Sequence, residues 1–253
     1  METTQNVGFR HFASGSAESW KLDDARRFAG GSPWLRGFPD DLRIEFLERT
    51  RLLPPFRRGQ RVYHVGDPPD GIYGVVSGCF GFEIAPQEDG PHLVHQFRPG
   101  SWFGDLANVL DRPRLATLHA TQPSQCLRVS RNALDDLLRK DPRLWQQLAI
   151  SLAEAMVLSL TAVNDLLLKS PKRRLSATLL RLAGVRNDEP VEGANLDIDL
   201  SHGALAIMTN ISRSTVAYYL GELQNDGFLS LRYGRIRLLV PQLLREWLRD
   251  PDC

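Results

Sequence analysis

The sequence has few cysteines, almost no net charge and no unbroken apolar run of membrane-spanning length. Its three cysteines, Cys79, Cys126 and Cys253, form no CxxC pair, which argues against a cysteine-held iron–sulfur cluster and against a secreted disulfide framework. The 31 Lys and Arg residues nearly balance the 30 Asp and Glu residues, so an anionic partner must be recognised by local clusters of charge. The first residues lack the apolar core of an export signal. These absences favour a cytoplasmic protein with no membrane partner.

The chain has enough length and apolar content to fold into stable domains. With 253 residues, of which 42% are hydrophobic, it can form one large domain or two ordinary ones, each with a buried core. Residues 1–30 are rich in small and polar types and show no periodicity, which predicts a loose N-terminal extension. Helical spacing of Leu42, Phe46 and Leu47 predicts one short helix before Pro54.

The residue pattern of the segment 31–140 is typical of a β-domain. Between Phe56 and Val129, short runs of β-branched and aromatic residues are separated by glycines and prolines, which predicts many short strands in a sandwich or barrel. Segments 71–78 and 79–84 are interpreted as neighbouring strands, and 87–90 as the hairpin turn that follows. Cys79 and Cys126 fall in these strands and are expected to be buried as small hydrophobic residues.

Residues 141–170 contain no glycine and show helical spacing, which predicts one helix roughly 45 Å long. A helix that packs on one globular domain needs a single apolar face, but this segment has two. The first stripe is Ala149, Ala153, Met156, Leu160, Val163 and Leu167, and the second is Leu148, Leu152, Ala155, Ser159, Ala162 and Leu166. The second stripe predicts a twin helix in a parallel homodimer.

Two alternatives to the dimer stay open for this helix. It can lie wholly inside a monomer, with both stripes covered by the same chain. It can also cross a membrane, although the side chains of Gln146, Gln147, Glu154, Asn164 and Asp165 would be costly in hydrocarbon.

Residues 171–253 form a second predicted domain with the spacing of a helix-turn-helix. Residues 201–208 are a short helix capped by Ser201, residues 209–211 are a turn, and residues 212–223 are a second helix capped by Ser212. Alternation on both sides of Tyr233-Gly234 predicts a β-hairpin after these helices. The fold class is therefore α+β, with a β-roll or jelly roll, a long dimerisation helix and a C-terminal winged helix-turn-helix.

The first turns of the second helix carry side chains suited to reading DNA. In helix-turn-helix motifs these turns enter the major groove, where Arg213 can bond bidentately to guanine and where Ser214 and Tyr218 add weaker contacts. Ser201, His202 and Ser212, at the starts of the two helices, complete the expected DNA-binding set with Arg235 of the hairpin. Arg232 and Arg237 on the hairpin, with the basic run 172–174, are expected to attract phosphates. The alternative is that these cations are ordinary solvated side chains.

Several motifs together resemble one known family over about residues 35–240. They are Phe56-x-x-Gly59, Val62-x-x-x-Gly66-Asp67, Gly71-Ile-Tyr73-x-Val75-x-x-Gly78, Phe103-Gly-Asp-Leu106 and Ile211-Ser-Arg-Ser-Thr-Val216. With the order β-roll, long helix and winged helix-turn-helix, they resemble the Crp/Fnr family of transcriptional regulators. The resemblance implies a non-enzymatic homodimer that binds a pseudo-palindromic operator in double-stranded DNA and has RNA polymerase as a further partner.

The resemblance also implies a candidate effector site in the β-roll. Family members that bind cyclic nucleotides carry a Gly-Glu pair and, about ten residues later, an arginine followed by a small hydroxyl residue. Here the corresponding residues are Gly104, Asp105 and Leu106, then Arg114 and Leu115, with Ser159 on the long helix as the purine contact. Arg114 would meet the cyclic phosphate and Asp105 the ribose hydroxyl of cyclic AMP or another cyclic nucleotide. Two residues depart from the pattern, because Asp105 is shorter than glutamate and Leu115 has no hydroxyl.

Other effectors and one other function class stay open. The effector can be another small molecule, a haem or a redox signal, or there can be none. A cupin-like metal protein or enzyme would use the β-roll as an active site, but the required set of converging histidines and carboxylates is absent. His92 and His95 point to opposite faces of a strand and are expected to be solvent or core residues, so no metal site is predicted.

Overall fold

The computed structural model describes residues 20–85, 90–187, 196–232 and 235–250. The described chain begins with three short helices, α1 (Leu22–Gly30), α2 (Pro33–Arg36) and α3 (Asp40–Glu48). Ala25 and Ala29 are buried on α1, so the expectation of a loose extension over residues 1–30 is wrong for residues 22–30. Alanines four residues apart form a narrow apolar stripe, which the sequence pattern did not reveal. Residues 1–19 lie outside the described residues.

The described part of the β-domain has eight strands and one short helix. Its elements are β1 (Thr50–Leu52), β2 (Arg61–Tyr63), β3 (Gly71–Ser77), β4 (Phe80–Ile84), β5 (His92–Phe97), β6 (Trp102–Phe103), α4 (Asp105–Leu110), β7 (Thr117–Ala120) and β8 (Gln125–Ser130). They form two four-stranded antiparallel sheets with the orders β1-β8-β3-β6 and β2-β7-β4-β5. This is the predicted β-roll.

The strands β3 and β4 follow each other in sequence but belong to different sheets. Gly78 between them has a φ of 78°, and a Cβ there would lie 2.2 Å from the Ser124 hydroxyl. Only glycine fits this crossing, which takes the chain from one sheet to the other. The interpretation of residues 71–78 and 79–84 as neighbouring strands is therefore correct for the strands and wrong for their pairing. Of the predicted turn at 87–90, residues 87–89 lie outside the described residues.

Two apolar clusters fill the β-domain. Trp34, Phe46 and Trp102 pack with tilted and edge-to-face rings between the N-terminal helices and one sheet. Between the two sheets lie Tyr63, Tyr73, Phe80 and Phe103 together with Cys126, and all five are buried. Cys79 is also buried, which agrees with the expectation that both cysteines behave as small hydrophobic residues.

Two helices lead out of the β-roll. Helix α5 (Arg131–Lys140) is capped by Ser130, and helix α6 (Arg143–Leu167) has 25 residues. The start of α6 packs on its own chain through the buried Leu144 and Leu148, and its end does so through the buried Asp165, whereas most of the helix between them is exposed or half-buried. By length and composition α6 is the helix of the described chain that is apolar enough to cross a membrane.

Over residues 171–187, 196–232 and 235–250, the C-terminal domain has four helices and a three-stranded sheet. Its elements are α7 (Pro171–Leu182), β9 (Asp197–Ile198), α8 (His202–Thr209), α9 (Arg213–Asn225), β10 (Leu229–Arg232), β11 (Arg235–Leu238) and α10 (Pro241–Arg249). The sheet order is β10-β11-β9. Strands β10 and β11 form the predicted hairpin, whose turn residues 233 and 234 lie outside the described residues.

The C-terminal domain is held to the rest of the chain at two places. At the end of α6, the buried Asp165 carboxylate accepts hydrogen bonds from Arg181 Nε (3.1 Å) and Arg186 Nε (3.0 Å). At the β-roll, Arg98 Nη2 donates to the Asp197 carbonyl over 2.8 Å. A buried carboxylate is costly unless it is paired in this way, so the first contact fixes α7 against α6.

Candidate functional site

The two helices of the helix-turn-helix begin after the predicted caps Ser201 and Ser212, and they end one and two residues later than the sequence predicts. Ser201 Oγ accepts from the Ala204 N–H over 3.1 Å, and Ser212 Oγ accepts from the Thr215 N–H over 3.0 Å. Both serines therefore satisfy free N–H groups at a helix start. Between the helices Asn210 has a φ of 50°, a left-handed conformation that asparagine tolerates and that allows the sharp turn.

One face of α9 is in the core and the other is in solvent. Val216 and Leu220 are completely buried, whereas Arg213, Ser214 and Tyr218 are exposed. Among the described residues nothing pairs with the Arg213 guanidinium, so all its donors are available to a ligand. The Tyr218 hydroxyl donates to Glu222 Oε1 over 2.9 Å, and this hydrogen bond raises the pKa of Tyr218. The exposed face thus offers neutral hydroxyls beside one unpaired cation.

The hairpin adds positive charge next to this face. Arg232, Arg235 and Arg237 are exposed and surround Asp197, leaving a net positive cluster. Arg235 Nη1 lies 3.6 Å and Arg237 Nε 3.8 Å from the Asp197 carboxylate, so both ion pairs are long and partly exposed. Such pairs contribute little to stability, so another anion could replace Asp197 beside these arginines.

The basic run at the start of α7 does not present free cations. Lys172 Nζ lies 3.0 Å from Asp226 and 3.3 Å from Glu222. Arg173 donates to the Leu248 carbonyl, and Arg174 Nη1 donates to the Leu168 carbonyl over 3.1 Å. Two carboxylates thus neutralise Lys172, whereas Arg173 and Arg174 keep their positive charge while they bond to backbone carbonyls. The phosphate attraction expected of residues 172–174 stays a prediction for the two arginines. The partners of Lys172 and Arg173 lie 54 and 75 residues away in the sequence, so local spacing does not reveal these contacts.

In the β-roll, the predicted phosphate ligand Arg114 is buried and already bonded. Its Nη1 donates to the Gly104 carbonyl over 2.8 Å, and its Nη2 donates to the Gly71 carbonyl over 2.9 Å. Nη2 also donates to Asp70 Oδ1 over 2.7 Å. The guanidinium carbon lies 4.3 Å from the centre of the Tyr63 ring. A cation–π contact and three hydrogen bonds thus occupy this side chain, and its buried Nε is left without a partner.

The other predicted effector residues divide into two groups. Gly104 caps α4 with a φ of 94° and lies against Arg114, and Asp105 begins the helix beside it. Leu106 and Leu115 are exposed, at 42% and 62%. Ser159 donates to the Ala155 carbonyl of its own helix and does not contact this group.

The contact from the long helix to the β-roll is made by a different serine. Ser151 Oγ donates to Asp105 Oδ2 over 2.6 Å, about 12 Å before Ser159 along α6. The sequence did not indicate Ser151, nor did it indicate Asp70 and Tyr63 as partners of Arg114. The one available signal was the position of Asp70, immediately before the glycine that begins β3.

The histidines of β5 make no metal site in the described chain, where no group of three or more His, Cys, Asp or Glu side chains could hold an ion. His95 packs edge to face on Phe97, with ring centres 5.0 Å apart. Burial lowers the pKa of His95 to about 4, and the nearby Arg181 and Arg98 lower it further in the same direction. His95 is therefore a neutral residue between the β-roll and the C-terminal domain.

Two family models match the chain. A cyclic nucleotide-binding domain matches residues 54–141, and a Crp-like helix-turn-helix domain matches residues 173–247. Together they cover the β-roll and the C-terminal domain, with α6 between them.

Characterised relatives and solved structures have the same organisation. The transcriptional regulator SdrP of Thermus thermophilus is 26% identical over 202 residues, which are 79% of this chain and 96% of that protein. The cyclic AMP receptor protein of the same organism is 27% identical over 222 residues, 85% of this chain and 96% of that protein. Among structures, the c-di-GMP responsive global regulator CLP of Xanthomonas campestris is 19% identical with a TM-score of 0.60, covering 79% of this chain and 99% of that one.

Proposed function

The chain belongs to the Crp/Fnr family of transcriptional regulators, and from this membership we propose that it is a homodimer that binds a pseudo-palindromic DNA operator. Its relatives are transcriptional regulators rather than enzymes. The observation that carries the proposal is the exposed start of α9, where Arg213 has no partner among the described residues.

DNA reading is proposed for the exposed face of α9. Arg213 would contact a guanine through two hydrogen bonds, because its free guanidinium has the planar donor pair that O6 and N7 accept. Ser214 and Tyr218 lie on the same face and would contact bases or phosphates. Ser201 and Ser212 hold the two helix starts, and His202 lies beside Ser201 at the edge of this surface.

The wing is proposed as the source of sequence-independent affinity. Arg235 and its neighbours Arg232 and Arg237 are exposed, and the Asp197 carboxylate lies 3.6 Å from Arg235 and 3.8 Å from Arg237. A phosphate backbone that approaches α9 would meet these cations. They would supply a local attraction for phosphates, since a protein of net charge +1 has almost none as a whole.

Dimerisation is proposed through α6. Four residues of the first stripe, Met156, Leu160, Val163 and Leu167, are between 56% and 74% exposed, and they repeat at alternating steps of four and three residues. This spacing is typical of a seam between two parallel helices. The sequence assigns the twin helix to the second stripe, but Leu148 of that stripe is buried in the core of its own chain, so the proposed seam is the first stripe. A regulator that binds DNA in aqueous solution needs another apolar surface to cover this face, so a second copy of α6 is a better occupant than a bilayer.

Cyclic nucleotide sensing does not fit the residues as they are arranged. Three of the five N–H donors of Arg114 are used by two carbonyls and by Asp70, so a cyclic phosphate would find only Nε and one hydrogen of Nη1. Tyr63 lies against the guanidinium and is buried itself, so the aromatic core occupies the adjacent space. We therefore assign no cyclic nucleotide to the site, although relatives of this chain include a cyclic AMP receptor protein.

Signals from the β-roll would reach DNA through the contacts between the domains. Gln96 and Arg98 of the β-roll donate to the carbonyls of Asp199 and Asp197, next to the start of α8. A change in the β-roll would thereby shift the helix-turn-helix, and the regulator would work in the cytoplasm together with RNA polymerase.

Selection of bound sequences from random DNA tests the proposal. The expected product is a palindrome whose half-sites are centred about 34 Å apart, one turn of the double helix. A footprint of a single half-site, or an affinity that does not depend on salt, would exclude the proposed dimer on DNA.

A further inference from the structure

We propose that Tyr218 on α9 recognises a thymine of the operator through its aromatic ring, and that Glu222, one helical turn later, positions this ring. The inference rests on the proposed function, because it concerns a base of the operator that α9 reads. It goes further by naming a second base and the kind of contact that selects it.

The hydroxyl of Tyr218 is committed to its own helix. It donates its single hydrogen to Glu222 Oε1 over 2.9 Å. This hydrogen bond and the negative charge of Glu222 raise the pKa of Tyr218, so the hydroxyl stays protonated at neutral pH. A phosphate oxygen of DNA can only accept a hydrogen bond, and the carboxylate beside the hydroxyl repels phosphates. The ring is therefore the part of Tyr218 that is suited to contact DNA.

Glu222 is held from its other side by Lys172. Lys172 Nζ lies 3.3 Å from Glu222 Oε2 and 3.0 Å from Asp226 Oδ2. It also lies 5.6 Å from the centre of the Trp247 ring on α10. Each Glu222 oxygen thus has a partner, so this carboxylate is not free to accept from the amino group of cytosine or adenine. Contacts among three helices fix the point to which the tyrosine hydroxyl is bound, which limits the freedom of the ring before DNA arrives.

The ring of Tyr218 is an exposed aromatic surface on the reading face of α9. Tyr218 is 62% exposed, and its ring packs edge to face against the Tyr219 ring with centres 5.1 Å apart. Because its hydroxyl reaches Glu222, the ring lies along the helix surface between these two residues. Ala217 beside it is also exposed and adds a methyl group. This part of the face is apolar, in contrast to the cation at Arg213.

An aromatic ring without a free hydrogen-bond donor matches one group on the edges of base pairs. In the major groove this group is the C5-methyl of thymine, since the other groups that distinguish the bases there are donors and acceptors. The ring lies about two turns, roughly 10 Å, beyond Arg213 along α9. Because successive base pairs are about 3.4 Å apart, we expect the thymine within about three base pairs of the guanine that Arg213 would contact.

Replacing thymine by deoxyuridine in the selected operator tests the contact, because this change removes only the methyl group and keeps the base pair. For the wild type we expect one thymine in each half-site whose replacement weakens binding about fourfold, or about fifteenfold when both half-sites are changed. Tyr218→Ala should bind the two DNA forms nearly equally. Fluorescence anisotropy measures the ratio of the two affinities. An operator without such a thymine, or a wild-type ratio in Tyr218→Ala, overturns the proposal.

The same ratio tests the positioning role of Glu222. Tyr218→Phe and Glu222→Ala keep the ring but lose its hydrogen bond, so the ratio for both half-sites should fall to about fourfold. Glu222→Gln keeps an oxygen that accepts from the tyrosine and should restore most of the wild-type ratio. Glu246→Ala, which removes the same charge from an exposed position on α10, is the matched control and should leave the ratio unchanged.

Two results with these variants contradict the proposal. An undiminished ratio in Glu222→Ala excludes Glu222 as the positioning residue. Complete loss of the ratio in Tyr218→Phe assigns the contact to the hydroxyl and overturns recognition by the ring.

Arg213→Ala separates this inference from the proposed function. If the selected operator loses its preference at one guanine in this variant but contains no methyl-sensitive thymine, the proposed function holds and the thymine contact alone is refuted. A wild type that selects no DNA overturns both.

Discussion

Arg213 is the side chain on which sequence recognition depends most. We expect Arg213→Ala to cost about 1–3 kcal/mol of operator binding and to relax the preference at one base pair, because one bidentate contact is lost. Quantitative binding to the selected operator and to its single-base variants measures both effects. Arg36→Ala, at an exposed position on α2, is the control. An equal loss on every DNA sequence would instead assign Arg213 to a phosphate.

His95 predicts a pH dependence of stability. Its folded pKa of about 4 lies below the ordinary histidine pKa of 6.5, so between these values the unfolded chain binds a proton that the folded chain does not. The free energy of unfolding therefore falls as pH drops from 6.5 towards 4, by up to about 3 kcal/mol from this residue. Urea unfolding at a series of pH values measures it. His95→Gln should lack this component, and identical pH profiles for the two proteins would contradict the assignment.

Residue types in the effector site could be predicted, but their partners could not. The family resemblance implies Arg114 and Asp105, and the structure brings both to the same end of the β-roll. Asp70 and Ser151 are 44 and 46 residues away from the groups they bind, so only the folded sheets and α6 bring them there. The same limit applies to Lys172, whose acidic partners on and beside α9 lie far along the chain.

Among the elements, the long helix and the two helices of the helix-turn-helix are well marked in the sequence. Serine caps at 201 and 212 and the glycine-free segment around α6 are local signals, and the structure has helices at these places. Helix α1 was missed because its buried face consists of two alanines. Strand β3 pairs with β8, whereas β4 belongs to the other sheet. The alternation of apolar and polar residues within a strand does not specify which strand it pairs with.

The exposed seam of α6 gives a prediction about assembly. Leu160→Glu is expected to shift the protein from dimer to monomer in sedimentation, because a carboxylate at the centre of the seam would be buried without a partner. Operator affinity should fall with it. Ile44→Glu on α3 is the matched control, as Ile44 is 57% exposed against 59% for Leu160. A Leu160→Glu protein that remains dimeric would place the subunit interface elsewhere.

Because the net charge of the whole molecule is close to zero, its attraction for DNA must come from a few local clusters of positive side chains. Each phosphate contact contributes about 0.9 to the slope of log affinity against log salt concentration. We expect Arg235→Ala to reduce that slope by about 1 on operator and non-operator DNA alike, measured by fluorescence anisotropy at several salt concentrations. Arg36→Ala should leave the slope unchanged. A slope that Arg235→Ala does not alter would make Arg235 an ordinary solvated side chain.

The buried Asp165 makes α6 a lever. Because two arginines clamp the carboxylate at its far end, the C-terminal domain has to follow the axis of the helix. Its 25 residues span about 37 Å, so a tilt of about 5° at the β-roll end moves the other end by roughly 3 Å. That displacement is close to the rise of one base pair. A tilt of a few degrees is thus enough to shift helix α9 by about one base pair relative to its half-site.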